Sequence, residues 1–286
     1  MSYARHQTFY LRSGWLAKAL EELDRDPRLF SQKDATTRLG IGKNMVASLR
    51  FWVNAAGLTQ QLPSNQGLGL TRLGSMVRKY DPFFELELTW WLIHYHIVKD
   101  EDQATSWYYL FNKFPNSDFD KITFVETIAR YSGNVVSKSS YQKDYDCIVA
   151  TYVPSDGEQG TPENNTICPL TRLGLLESMR NGAVRKTSPE KLLPLEIVFL
   201  VMRDAASQDY FGNISTLVEQ PCNIGKVFNL SLDSIYRYLD LLQDKGLLRF
   251  SRTASLDSIT MEHENPWDLV EQVYRNLNRG VAPNEA

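Results

Sequence analysis

Cysteine is scarce and scattered in this sequence. Only Cys147, Cys168 and Cys222 occur in 286 residues. Their odd number and wide spacing, with no CxxC or Cys/His pairing, exclude a disulfide framework and a structural zinc site, so they are expected to be reduced thiols. Long apolar runs are also missing. The most apolar stretch, Leu192 to Met202, is broken by Pro194 and Glu196, well short of the ~20 residues needed to cross a bilayer. The first residues lack the basic-then-apolar layout of a secretion signal. A soluble, cytoplasmic protein with no membrane partner is the expectation. The phosphate loop GxxxxGK[ST] is absent too. The segment GIGKN at Gly40–Asn44 has neither the spacing nor the Ser/Thr that would hold magnesium, which argues against ATP hydrolysis.

What is present is apolar and aromatic residues in quantity, 43% and 12% of the chain, enough for a real core. The length exceeds the roughly 100–200 residues of one domain. Net charge is −3, which alone points to no partner, but the signs are segregated. Residues 1–80 carry 12 Lys and Arg against 5 Asp and Glu, a balance of +7, leaving 19 against 29, or −10, for residues 81–286. From Pro27 to Lys79 the only acid is Asp34, among Arg28, Lys33, Arg38, Lys43, Arg50, Arg72, Arg78 and Lys79. A positive lobe attracts a polyanion through its long-range field and through counterion release. The alternative is a basic face that docks on the acidic remainder of the same chain.

The fold class expected is mainly α with small β wings, in four segments. Residues 1–80 read as an N-terminal winged helix-turn-helix that binds DNA. Residues 81–154 read as an aromatic-rich helical domain, with Phe83, Phe84, Trp90, Trp91, Tyr95, Trp107, Tyr108, Tyr109, Phe111 and Phe114 as core formers. Residues 155–188 open on SDGEQGTPENNT and read as a loop or linker. Residues 189–286 read as a second, C-terminal winged-helix-like unit.

The first helix-turn-helix carries most of the functional inference. Ser31 is the expected N-cap of a short helix ending near Leu39, and Gly40 and Gly42 allow the reversal. From Lys43 to Ala56 the apolar residues Met45, Val46, Leu49, Trp52, Val53 and Ala56 recur at spacings of three and four, and Gly57 stops the helix. The opposite face shows Asn44, Ala47, Ser48, Phe51 and Asn54, with Lys43 and Arg50 along one flank and no carboxylate. Such a face suits a recognition helix, which needs small or amide side chains at base edges and cations at phosphates. Asn44 or Asn54 could read adenine, and Lys43, at the positive end of the helix dipole, could hold a phosphate. Ser48, Arg50, Arg38 and Arg72 complete the expected DNA-binding set. Phe51 is expected to pack against the next domain rather than touch a base. Leu58 to Leu62 and Leu68 to Leu70 are the expected wing strands, with PSNQG at the tip and a further helix from Thr71.

The C-terminal unit repeats this grammar. Ser231 is a good N-cap, Ile235, Leu239 and Leu242 form the buried stripe, and Gly246 closes the helix. Leu247 to Phe250 and Ser258 to Met261 are the expected strands. The outward face differs, showing Asp233, Tyr236, Arg237, Asp240, Gln243 and Asp244. Acids repel phosphate, which favours protein contact or a homodimer over a second DNA reader.

Catalytic signals are weak. His94 and His96 in WWLIHYHIVKDED lie two apart, so on a helix they point in different directions, one expected in the core and the other exposed. Asp118 and Asp120, with Lys121 and Glu126 nearby, are loosely similar to carboxylate–lysine nuclease sets, without a diagnostic signature. No cofactor is evident.

The runs TFYLRSGWLAKAL (Thr8 to Leu20), LGIGKNMVASLRFWVNAAGL (Leu39 to Leu58), LTRLG (Leu70 to Gly74) and TWWLIHYHI (Thr89 to Ile97), with DYDCIVATYVP and CPLTRLGLL further on, resemble an uncharacterised-domain family. That family is encoded beside cysteine desulfurases and sulfur-activating enzymes in Ssp-type bacterial DNA phosphorothioation operons. The resemblance covers nearly the whole chain and is most specific at GKNMV with LRFW. It implies a component of a system that replaces a non-bridging phosphate oxygen by sulfur, linked to anti-phage defence, with other proteins of the system as partners. It also implies DNA nicking, with Lys43 as the candidate functional residue and a divalent metal if the protein is a nickase; nucleophile, general base and metal ligands stay unassigned. The alternative is a non-enzymatic winged-helix DNA-binding adaptor or transcriptional regulator. A third reading is a pure protein-interaction scaffold.

Overall fold

The computed structural model describes residues 1–154, 167–189, 191, 193–206, 210–211, 214–252, 257–262 and 265–278. The chain divides into two compact units, Met1–Thr187 and Ser188–Ala286. Both are mainly helical with small antiparallel sheets. Among the described residues, no helix is long and apolar enough to cross a membrane.

In the first unit, α1 (Trp15–Arg25) buries Trp15, Leu16, Ala19, Leu20 and Leu23 along one stripe. A turn then leads into α2 (Ala35–Leu39) and α3 (Lys43–Ala55). Ser31 does not cap α2: it closes a 3-10 turn from Leu29 to Ser31, and α2 begins four residues later behind Asp34. Gly40 takes φ 64, the left-handed conformation that ends α2 and turns the chain into α3. After Gly57 the strands β1 (Thr59–Gln61) and β2 (Leu68–Leu70) pair antiparallel, Thr59 opposite Leu70. Helix α4 (Arg72–Tyr80) follows, with Thr71 as its N-cap accepting from the Gly74 amide at 3.0 Å.

The aromatic segment supplies α5 (Glu87–Lys99) and α6 (Thr105–Tyr108), which runs into a π-helical turn at Tyr109–Lys113. The short strand β3 (Asp118–Phe119) precedes α7 (Lys121–Tyr131) and α8 (Lys138–Tyr152). The segment expected as linker is partly structured. Residues 155–166 lie outside the described residues, but a 3-10 turn at Pro169–Leu173 leads to β4 (Leu176–Ser178) and β5 (Val184–Lys186). These form the sheet β3-β5-β4, held in part by the paired Asp118 and Arg185.

Residues 1–80 and 81–154 share one core. Phe51 and Trp52 of α3 meet Trp107 of α6 with ring centroids 6.0 and 5.6 Å apart. Phe51 therefore packs on the aromatic segment, as anticipated. The chain preceding α1 adds a second tie. The fully buried Asp144 of α8 accepts from the Ala4 amide, His6 Nε2 and Ser106 Oγ at 2.8, 2.9 and 2.6 Å. The Thr8 amide donates to His6 Nδ1 at 3.2 Å, which leaves the proton on Nε2. A buried carboxylate with three donors is satisfied, whereas an unpaired one would cost several kcal/mol.

In the second unit, α9 (Leu195–Ala205) buries its middle, Ile197 to Met202. The strand β6 (Tyr210–Phe211), α10 (Ile214–Glu219), α11 (Ile224–Val227) and α12 (Leu232–Asp244) follow. Ser231 caps α12 by accepting from the Ser234 amide at 3.2 Å. Strands β7 (Leu248–Arg252) and β8 (Asp257–Met261) pair from Leu248 opposite Met261 to Arg252 opposite Asp257, and β6 adds to β8. Residues 253–256, between the two strands, lie outside the described residues. Helix α13 (Pro266–Asn278) completes the unit, burying Pro266, Val270 and Tyr274.

Candidate nucleic-acid interface

Helix α3 is fixed from behind and open in front. Its rear face buries Val46, Leu49, Trp52 and Val53 against the core. Its front carries Lys43, Asn44, Ala47 and Arg50, all exposed. At 100° per residue these four fall within about a third of a turn, making a continuous stripe. No carboxylate lies on it. Gly42 precedes the helix with extended backbone and no side-chain cap, so the first-turn amides next to Lys43 carry the positive end of the dipole uncovered by a side chain.

Three residues expected on this surface are engaged elsewhere. Ser48 is fully buried, its hydroxyl donating to the Phe9 carbonyl at 3.3 Å. It sits on the flank of α3 that the N-terminal chain covers, not on the front. Asn54 uses both ends of its amide internally: Nδ2 donates to the Arg50 carbonyl at 2.9 Å, and Oδ1 accepts from Thr59 at 2.7 Å, clasping the end of α3 to β1. Arg38 is held between Glu22 and Asp26 at 2.8 and 2.9 Å. Those hydrogen bonds hold both carboxyls below the usual range and raise the guanidinium further. Its charge is spent within the α1–α2 corner. Arg72 is exposed in the first turn of α4. The candidate interface thus reduces to Lys43, Asn44 and Arg50 on α3, with Arg72 behind the hairpin. Gln60, Gln61, Asn65 and Gln66 are exposed along the hairpin, which bears no charge of either sign.

The catalytic possibilities raised by the sequence come apart in space. Asp118 pairs with Arg185, Asp120 caps α7 through the Thr123 amide, and Lys121 pairs with Asp146. Glu126 lines a cleft of about 370 Å³ between α7 and α8 with Val125, Arg130, Lys138 and Tyr141. Neither histidine is the exposed member that two-residue spacing suggested, because α5 is packed on most of its circumference. His94 is buried with Nδ1 2.8 Å from the Tyr152 hydroxyl. His96 lies against Gly57, and burial, assisted by Lys99, lowers its pKa to about 3. Burial pushes the Cys168 thiol up to about 12 and that of Cys147 upward as well, which makes both poor nucleophiles. Among the described residues, no three His, Cys, Asp or Glu side chains are grouped to hold a metal ion.

Known proteins share this architecture. Two solved SspB structures, one of them magnesium-ion-bound, are similar to the chain over 99% of its length and 90% of theirs, at 27% identity. Their TM-scores are 0.82 for the magnesium-bound form and 0.81 for the other. No curated protein matches it. A family model described as protein of unknown function, DUF4007, matches residues 3–274, so the chain belongs to that family.

Proposed function

We propose that this protein is the DNA-binding component of a bacterial DNA phosphorothioate modification and anti-phage defence system. In this reading the order α1, α2, α3, hairpin is a winged helix-turn-helix, α3 enters a groove of duplex DNA and the hairpin is its wing. The likeness to SspB supplies the system. The observation that carries DNA contact is the acid-free exposed stripe on α3, with Lys43 and Arg50 along one edge and Asn44 at the other, on a helix locked from behind. Lys43 beside the uncovered first-turn amides holds a phosphate. Asn44 is the remaining α3 amide for base contact, and Arg72 supplies charge near the wing. Partners besides DNA are other proteins of the system. The acidic front of α12 serves them or a second copy rather than DNA.

Binding of a labelled duplex measured against salt tests this. Lys43→Ala with Arg50→Ala should weaken affinity about tenfold or more at low salt and flatten the slope of log K against log salt by roughly 1.8, two phosphates at about 0.9 each. An unchanged slope in the double variant refutes the α3 surface. Nicking is a further activity that the sequence resemblance implies, with Lys43 as its candidate residue through phosphate contact. No metal-assisted step is assigned, since the described residues group no ligand set. Incubation with supercoiled plasmid, with and without magnesium or manganese, separates the two forms of the proposal: relaxation identifies a nickase, and persistent supercoiling with intact binding identifies an adaptor.

A further inference from the structure

The first 20 residues contain no Asp or Glu and carry Arg5, Arg12 and Lys18. Part of this segment is a strap bound to α3. One carbonyl, that of Phe9, accepts from Ser48 Oγ at 3.3 Å and Trp52 Nε1 at 3.1 Å on α3, and from Cys147 Sγ at 3.6 Å on α8. Ser48 is one helical turn beyond Asn44, so the strap runs along the Asn44 edge of the exposed stripe.

Three residues after Phe9, the Arg12 guanidinium lies over the rings of Phe9, Tyr10 and Trp15, at 5.8, 5.8 and 5.5 Å from their centroids. Ring faces attract a cation without cancelling its charge. Arg12 has no carboxylate partner among the described residues, and its buried Nε has no hydrogen-bond acceptor. It contrasts with Arg38, whose charge is spent on Glu22 and Asp26. An aromatic cage restricts the rotamers of a long side chain, and a planar guanidinium matches phosphate oxygens in a fork. Arg12 is therefore an oriented, un-neutralised cation on the strap that the Phe9 carbonyl anchors to α3.

We propose that Arg12 is a phosphate-binding residue and that the N-terminal strap extends the DNA surface of α3 across its Asn44 edge. This rests on reading α3 as the DNA-contacting helix.

The test is a salt titration of duplex binding by the full chain, comparing wild type, Arg12→Gln, Arg12→Lys and the Lys43/Arg50 double variant, with a thermal melt of each. Arg12→Gln should reduce the slope by about 0.9, one phosphate contact. Arg12→Lys should restore the slope, since it keeps the charge, while binding more weakly than wild type because the fork is lost. A wild-type slope in Arg12→Gln, with the double variant flattened, overturns the strap contact and leaves the α3 reading standing. A slope that Lys does not restore attributes the loss to disturbed packing of the cage and also overturns it. A wild type without salt-sensitive binding overturns both readings.

Discussion

His96 lies behind the C-terminal end of α3, so close to Gly57 that a Cβ there would overlap its ring. Burial disfavours its charged form and holds its pKa near 3, while in the unfolded chain it titrates near 6.5. Between those values the unfolded state binds the extra proton, so stability is full above about pH 6.5 and falls as pH drops towards 3. From pH 7 to 5 this one group should remove on the order of 2 kcal/mol. Urea unfolding at both pH values checks this: His96→Gln should lose less stability on acidification than wild type, and parallel losses would refute it. At this scale the sequence was a partial guide. It placed Lys43, Asn44 and Arg50 on an open face because helical period and solvent exposure go together. It misplaced Ser48, Asn54 and Arg38, whose partners Phe9, Thr59, Glu22 and Asp26 are set by tertiary contact. A small hydroxyl or an amide at the edge of a stripe reads equally well as solvated or as bonded. Arg12 carried no signal in the sequence, because its cage forms only when the rings of Phe9, Tyr10 and Trp15 gather around it.

Elements near the interface are joined by single polar residues. Thr71 is both N-cap of α4, accepting from the Gly74 amide, and donor to the Gly57 carbonyl at 2.6 Å, which ties the end of α3 to the strand exit of the hairpin. Gly74 itself must be glycine, because a Cβ there would strike the Leu58 carbonyl. Thr71→Ala removes a cap and a half-buried acceptor's partner together and should cost about 1–2 kcal/mol, read as a lower urea midpoint at constant slope; an unchanged midpoint would show the joint to be unimportant. Elements with local signatures were readable: α3 from its stripe, α4 from Thr71, and α12 from Ser231 and Gly246. Strands β3, β4 and β5 were not. They are two or three residues long and pair Asp118 with Arg185 across a wide sequence gap, and short strands with distant partners leave no periodic trace. Contacts between the expected segments are equally hard to read from sequence. The burial of Phe51 and Trp52 against Trp107, and of Asp144 against the strap, fuses the first two segments.

Charge is distributed unevenly at the scale of the whole chain. Unit 1, residues 1–187, carries 22 Lys and Arg against 20 Asp and Glu, or +2, and unit 2 carries 9 against 14, or −5. The excess of +7 in residues 1–80 is thus largely offset within unit 1, so the proposed DNA contact rests on the local stripe rather than on bulk charge. Unit 2 adds opposition: Asp233, Asp240 and Asp244 are exposed on α12, the helix that would enter a groove if this unit also read DNA. The salt slope counts phosphates neutralised by cations, and an Asp→Asn change supplies no cation. Replacing all three with Asn should therefore leave the slope at its wild-type value and affinity near 0.15 M salt within about twofold, since screening there acts over about 8 Å. A protein-facing α12 would instead show the change in pull-downs of system partners or in the concentration dependence of self-association. Should the triple variant bind duplex tenfold tighter, α12 would be a DNA-facing helix held back by its own acids, and the division of labour between the two units would have to be redrawn.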